Sequence, residues 1–104
     1  MAFMLFEVTH YLVSLKRIGT RGECASIDCF GEGLPEKRIN IYFMPKDAML
    51  PYNRSSIGQS GAVLGEMYLP AERYAWYLDL LRNEAPIQAR VDTDNPDRNC
   101  IMTK

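Results

Sequence analysis

The segment 69–86 carries the clearest helix signals in this chain, and it restricts the remainder to a fold built mainly of strands. Pro70 suits the first helical position because that position needs no N–H donor, and Pro86 prevents the helix from continuing. Arg82 in the last turn complements the negative end of the helix dipole. The sequence therefore predicts a single helix near residues 70–85.

The apolar side chains of this helix form two groups on its surface. A buried stripe follows the three-to-four spacing and comprises Tyr74, Leu78, Leu81 and Ala85, with Tyr77 beside it. Trp76 and Leu80 form a second apolar pair that is displaced around the helix. This pair needs a separate surface to pack against. Aromatic residues and Arg often anchor interfaces, so the predicted interface comprises Trp76, Leu80, Tyr77 and Arg73. The alternative is a sheet that curls around the helix and buries Trp76 within the monomer.

The length and composition are those of a small soluble globular protein. The 104 residues are 47% hydrophobic and 24% charged, which predicts one domain spanning residues 1–104 that folds without disulfides or a structural metal. A formal net charge of -1 argues against nucleic-acid binding. Lys16, Arg17 and Arg21 form a small basic cluster, which we interpret as a solvated strand end.

The apolar amino terminus, residues 1–15, has the pattern of neither a signal peptide nor a membrane span. No basic region precedes it, Glu7 and His10 interrupt it, and no small-residue cleavage site follows. We therefore expect a cytoplasmic protein without membrane association. The odd number of cysteines, three, agrees with this location, where thiols stay reduced.

Strand patterns occupy much of the rest of the chain, in the order β-β-β-β-α-β-β. The predicted strands are residues 3–18, 23–30, 38–44, 62–68, 87–92 and 99–103. In the first of them the apolar residues change from one face to the other near His10. This change predicts a bulge or a sharp bend.

The alternation at 38–44 is the clearest in the chain. It predicts that Ile39, Ile41 and Phe43 face inward and that Asn40 and Tyr42 face outward. Consecutive strands joined by short turns favour antiparallel pairing. The predicted fold class is α+β, mainly β: a strongly bent antiparallel sheet or a small, partly open barrel, covered by the one helix.

Residues 45–61 form the longest irregular stretch, which is rich in Pro, Gly, Ser and Asn. Long loops in compact domains are often functional, and the open end of a bent sheet is a usual place for a ligand pocket. A pocket under this loop is therefore one hypothesis. Its candidate ligand-binding residues are His10, Tyr42, Tyr52, Arg54 and Glu66.

No motif in the sequence predicts catalysis, a metal or a cofactor. Cys24 and Cys29 are five residues apart in a strand, so they lie on opposite faces and do not complete a zinc site with His10 and Cys100. The acidic turn 92–97 lacks the glycine and the distal glutamate of a calcium loop. His10, the only histidine, is interpreted as a structural hydrogen-bonding residue.

The sequence leaves two functions open and specifies no biochemical activity. The leading hypothesis is a small non-catalytic module that self-associates as a homodimer, or binds another protein, through the helix residues given above. The alternative is a small-molecule-binding domain or a small enzyme with a pocket under loop 45–61. Neither hypothesis involves nucleic acid, a membrane or a cofactor. Stacking of single-stranded nucleic acid on Tyr42, Tyr52 and Trp76 is a minor alternative, which the balanced charge disfavours.

Overall fold

A computed structural model describes residues 3–103, which contain eight strands and a helical segment of 13 residues. The strands are β1 (Phe3–Val8), β2 (His10–Leu15), β3 (Ala25–Phe30), β4 (Lys37–Met44), β5 (Arg54–Ile57), β6 (Val63–Pro70), β7 (Ile87–Asp92) and β8 (Cys100–Thr103). A 3₁₀ turn, Ala71–Arg73, leads directly into the helix α1, Tyr74–Asn83. The predicted α+β, mainly β class and the position of the helix are confirmed.

The strands form two sheets. The large sheet has the order β2-β3-β4-β6-β5 and the small sheet the order β1-β7-β8. Strand pairs are antiparallel except β4 and β6, which are parallel. The expectation of antiparallel pairing is wrong for this pair, because a parallel pair needs a long crossover connection and residues 45–62 provide one.

The predicted barrel or strongly bent sheet is not formed. Neither sheet is closed or strongly curled, because the chain leaves the small sheet after Val8 and enters the large sheet at His10. The segment expected to be one bent strand is thus two strands in different sheets. The break predicted near His10 corresponds to a change of sheet at Thr9, but Val13 and Leu15, which were expected to face inward after it, are exposed.

The core lies between the large sheet, the small sheet and the helix. Ile39, Ile41 and Phe43 are fully buried, as predicted. They join a cluster with Phe6, Ala25, Ile27, Cys29, Val63, Met67, Ile87, Ala89, Val91 and Ile101. The two sheets approach closely at Gly65, where an added Cβ would lie 2.9 Å from Cγ2 of Val91. A larger residue there would therefore require the Val91 side chain to move.

The helix covers the core beside the end of β4. The Phe43 ring makes edge contacts with Tyr74 and Tyr77, with ring centroids 5.3 Å and 5.9 Å apart. The other helix residues that pack on the core are Leu78, Leu80 and Leu81. Ala85 lies beyond the helix and is exposed, so the predicted buried stripe ends at the last turn. Within residues 3–103, no helix has the length and apolar character needed to cross a membrane.

The segment 45–61 is only partly irregular, since it contains β5. Asn53 fastens the start of this strand: its Oδ1 accepts a hydrogen bond from Tyr68 N at 2.9 Å, and its Nδ2 donates to Pro96 O at 3.3 Å. The radius of gyration, 13.1 Å, is that of a compact domain of this length. The segment is thus part of the folded unit.

Candidate functional site

The side of the large sheet that faces away from the core carries many polar side chains, and we call it the polar face. Its members include Ser26 and Asp28 on β3, Asn40 and Tyr42 on β4, Glu66 and Tyr68 on β6, and Arg54 on β5. They alternate with core residues because successive residues of a strand point to opposite faces. Four of them, Ser26, Asn40, Glu66 and Tyr68, are nevertheless buried. The side of the sheet on which Asn40 and Tyr42 lie is therefore only partly exposed to solvent.

The loop that joins β2 to β3 covers part of the polar face through Arg21. The Nη2 atom of Arg21 lies 2.9 Å from Oε2 of the buried Glu66. Its guanidinium also lies over the Tyr42 ring, 5.2 Å from the centroid, and Tyr42 in turn stacks on Tyr68 at 5.1 Å. Arg21 is thus an organised part of this face, which corrects its interpretation as a solvated strand end.

Glu23 anchors the loop that carries Arg21. Its side chain is fully buried, its Oε2 accepts from Lys16 Nζ at 2.7 Å, and its Oε1 accepts from Arg21 N at 2.9 Å. Burial disfavours the charged form, but these hydrogen bonds outweigh it and hold the pKa of Glu23 below its usual range. An ionised carboxylate therefore fixes the loop over the sheet, and Lys16 is its counter-ion rather than a freely solvated group.

Asn40 lies in the middle of the polar face with part of its amide unsatisfied. It is 8% exposed, its Nδ2 donates to Tyr42 Oη at 3.4 Å, and its buried Oδ1 has no hydrogen-bond partner within residues 3–103. Its register neighbours are Asp28 on β3 and Glu66 on β6. Burial raises the pKa of Asp28. The polar face therefore contains an unsatisfied acceptor of the kind that invites a functional explanation.

Arg54 differs from the other charged residues of the polar face. It stands opposite Glu66 in the β5–β6 register, yet Glu66 pairs with Arg21, and among the described residues Arg54 makes no ion pair. Both arginines and Glu66 line a cleft of about 290 Å³, together with Ser55, Ser56 and Leu64. The cleft therefore presents one paired and one unpaired guanidinium.

The five candidate ligand-binding residues separate into two groups. Tyr42, Arg54 and Glu66 share the polar face, as described above. Tyr52 is 90% exposed. His10 lies at the start of β2, where its ring stacks on Phe30 at 4.8 Å and its Nδ1 is 3.2 Å from Thr9 Oγ1. These two residues do not line the polar cleft.

Other clefts lie elsewhere on the molecule, and two of them include residues of the predicted pocket. One, of about 780 Å³, is formed where β1 passes into β2 beside the carboxyl end of the helix, and it includes His10 and Glu84. The other, of about 560 Å³, lies between loop residues 45–50 and the segment 70–72. The loop predicted to cover a pocket thus lines one cleft with its first part and another with β5.

The structure exposes some residues of the predicted helix interface and packs the others against the core. Trp76 is 65% exposed, and the Arg73 guanidinium lies 4.8 Å from the centroid of its ring. Tyr77 and Leu80 instead pack against the core. The alternative in which the monomer buries Trp76 is therefore wrong, and the exposed part of the predicted interface consists of Trp76 and Arg73.

The open edge of β2 is a second exposed apolar surface. Among residues 3–103, β2 is the first strand of the large sheet and has a neighbouring strand on one side only. Lys16, just beyond it, donates its N–H to Cys24 O at 2.8 Å. Because backbone groups of successive residues point to opposite sides, Leu15 and Val13 direct theirs towards the open edge. The exposed apolar side chains along this edge are Leu12, Val13 and Leu15, followed by Ile18.

The cysteines are free thiols in separate environments. Cys29 is fully buried in the core, and burial raises the pKa of its thiol to about 12. The Cys24 thiol donates to Phe43 O at 3.3 Å. Residues 3–103 contain no group of three or more His, Cys, Asp or Glu side chains placed to hold a metal ion.

Compared with known proteins, the chain matches no family model, no curated protein and no solved structure.

The sequence prediction missed the parts of the polar face that depend on distant residues, chiefly Arg21 and Asn40. One signal was available: β3, β4 and β6 each alternate apolar residues with polar or aromatic ones, and together these define a polar face. That signal does not reveal which loop folds over the face.

Proposed function

We propose that this protein is a small non-catalytic module that self-associates through the open edge of β2. The observation that carries this proposal is the exposure of Leu15, which is 73% exposed, beside an unpaired strand edge. Soluble proteins usually protect such edges with charged residues, proline, bulges or a covering element. Residues 10–15, His-Tyr-Leu-Val-Ser-Leu, contain none of these side-chain protections.

The other edge of the large sheet supports the proposal by contrast. β5 is short, and its sequence, Arg-Ser-Ser-Ile, is mostly polar. Its backbone is also engaged, because Asn99 Nδ2 donates to Arg54 O at 2.9 Å. One edge is thus protected in the usual ways, whereas the β2 edge offers both apolar side chains and backbone hydrogen-bonding groups.

A second copy of the chain suits this edge because antiparallel pairing of β2 with itself is compatible with two-fold symmetry. Pairing centred on Val13 places Tyr11 of one copy opposite Leu15 of the other. The outward N–H and C=O groups of both strands then find partners, and the large sheet continues across the dimer. The apolar side chains that flank the edge are buried in the same step.

Sedimentation or native mass spectrometry of the purified chain tests this proposal. We expect a dimer for the natural sequence, a monomer for Leu15→Lys, and a dimer for Leu34→Lys, a matched substitution at an apolar loop residue that is 93% exposed. A lysine at Leu15 places a charge beside Tyr11 of the other copy and removes an apolar side chain from the contact, so it protects the edge and weakens the pairing. The variant should retain its circular dichroism spectrum, because Leu15 lies outside the core cluster.

Other outcomes contradict the edge model. A natural chain that stays monomeric at high micromolar concentration would overturn self-association. A dimer that survives Leu15→Lys but is lost in Trp76→Ala would assign the interface to the helix surface. Trp76 fluorescence distinguishes these cases, since the exposed indole shifts to shorter wavelength only if a partner covers it.

A further inference from the structure

The proposed edge pairing does not use the polar cleft beside β5. This cleft lies at the opposite edge of the large sheet from β2, and its lining includes two arginines and one glutamate. Because Arg21 neutralises Glu66 at 2.9 Å, the remaining charge of the cleft is the positive charge of Arg54. The cleft is therefore electrostatically suited to a small anion.

We propose that this cleft binds a small organic anion through Arg54, with a carboxylate or phosphate group as the recognised chemistry. A guanidinium offers paired N–H donors in a planar fork that matches the oxygens of either group. The volume of about 290 Å³ lies near the lower limit of ligand pockets, which fits a molecule smaller than a typical drug. Leu64 gives the cleft an apolar wall for the rest of such a molecule.

The arrangement around Glu66 distinguishes this cleft from a chance exposed arginine. Arg54 stands directly opposite Glu66 across the β5–β6 pair, the position in which two opposite charges normally form an ion pair. Glu66 is instead bound by Arg21, a residue brought from the distant β2–β3 loop. The loop thus leaves the Arg54 guanidinium available, while the buried carboxylate beside it keeps a partner.

The backbone of β5 holds Arg54 in place without using its side chain. Arg54 O accepts from Asn99 Nδ2 at 2.9 Å, and the adjacent Ser55 Oγ donates to Asn99 Oδ1 at 2.9 Å. Positioning of the strand is therefore independent of the guanidinium. Substitution of the Arg54 side chain removes the proposed ligand contact and leaves the hydrogen bonds between β5 and Asn99 intact.

Nuclear magnetic resonance titration with two probes, inorganic phosphate and malonate, tests the proposal. At constant ionic strength, adjusted with chloride, we expect saturable shifts of the amides of residues 54–56 and 64–66 and of the Arg54 side-chain N–H. Arg54→Gln should weaken binding by about tenfold or more, the loss expected for one charge-assisted contact. The matched control is Arg82→Gln on the exposed face of the helix, which should bind as the natural chain does.

Two results would count against the proposal. Shifts that rise without saturation for both probes, or an equal loss of binding in Arg82→Gln, indicate general charge screening and overturn it. Saturation by phosphate alone or by malonate alone supports it and identifies which anion is recognised. Failure here leaves β2 pairing unaffected, because the two tests use different edges of the sheet and different variants.

Discussion

At the scale of single residues, the decisive contact is between Glu23 and Gly19. Gly19 N donates to Glu23 O at 2.8 Å, and the Glu23 carboxylate occupies the space that a side chain at Gly19 would need. The loop is therefore closed around a buried carboxylate. The same carboxylate accepts the Arg21 N–H, so the position of Arg21 over the polar face depends on it.

Replacement of this carboxylate should weaken the fold in a pH-dependent way. We expect Glu23→Gln to lower the free energy of unfolding by about 2 kcal/mol at neutral pH, the size of a hydrogen bond to a charged group. Because the pKa of Glu23 is lowered in the folded protein, its stabilising effect is present above the ordinary carboxylate pKa and is lost as the pH falls through the folded-state value.

Urea denaturation of both chains at neutral and at acidic pH checks this prediction, with Glu32→Gln at an exposed position as the control. The difference between the natural chain and Glu23→Gln should shrink in acid. A difference that stays constant with pH would show that Glu23 acts through packing and not through its charge.

At the scale of elements, the short strand β5 depends on one buried side chain. Asn99 Oδ1 accepts from Asp92 N at 2.8 Å and from Ser55 Oγ at 2.9 Å. Asn99 Nδ2 donates to Arg54 O at 2.9 Å and to Glu66 O at 3.3 Å. A single amide thus ties β5, β6 and β7 together, which explains why a mostly polar four-residue segment is held as a strand.

Loss of this amide should release β5 before the rest of the sheet. We expect Asn99→Ala to cost about 3 kcal/mol, because it leaves buried backbone groups without partners, and to speed hydrogen exchange at the amides of β5 more than at those of β4. Asn95→Ala is the control, since Asn95 is exposed and its Oδ1 accepts from Asp97 N at 3.3 Å, a longer hydrogen bond than those of Asn99 Oδ1. Equal acceleration in β4 and β5 would contradict this role.

The observed bounds of the strands and the helix show which local sequence signals were sufficient to predict an element. β7 matches its predicted range, and the helix starts and ends close to its two prolines. β5 was missed because it carries neither an apolar alternation nor a run of β-branched residues. Its strand conformation comes from the hydrogen bonds of Asn53 and Asn99, which join residues far apart in the chain.

At the scale of the whole molecule, the packing of the two sheets is sensitive to Gly65. The space above this residue is occupied by the side chain of Val91, and Ile39 Cγ1 would lie 3.2 Å from an added Cβ. Both neighbours are β-branched and stiff at χ1, so neither adjusts freely. The distance between the sheets therefore depends on the absence of a side chain at Gly65.

A double-mutant cycle tests this dependence. Gly65→Ala should lower the free energy of unfolding by about 1–3 kcal/mol, as overpacking of a core does. Val91→Ala should also destabilise, because it leaves a cavity. The double variant should be more stable than the sum of the two losses implies, since each substitution relieves the other. Simple additivity would show that the two residues do not compete for the same space.

Local patterns in the sequence were enough to predict the features that depend on near neighbours in the chain. Alternation identified Ile39, Ile41 and Phe43 as core residues, and two prolines bounded the helix. Features that depend on distant partners emerge only when the whole chain packs: the division of residues 3–15 between two sheets, the parallel pairing of β4 with β6, and the placement of Arg21 on Glu66. Periodicity specifies which face of an element is buried, whereas strand partners and ion pairs follow from how all elements pack together.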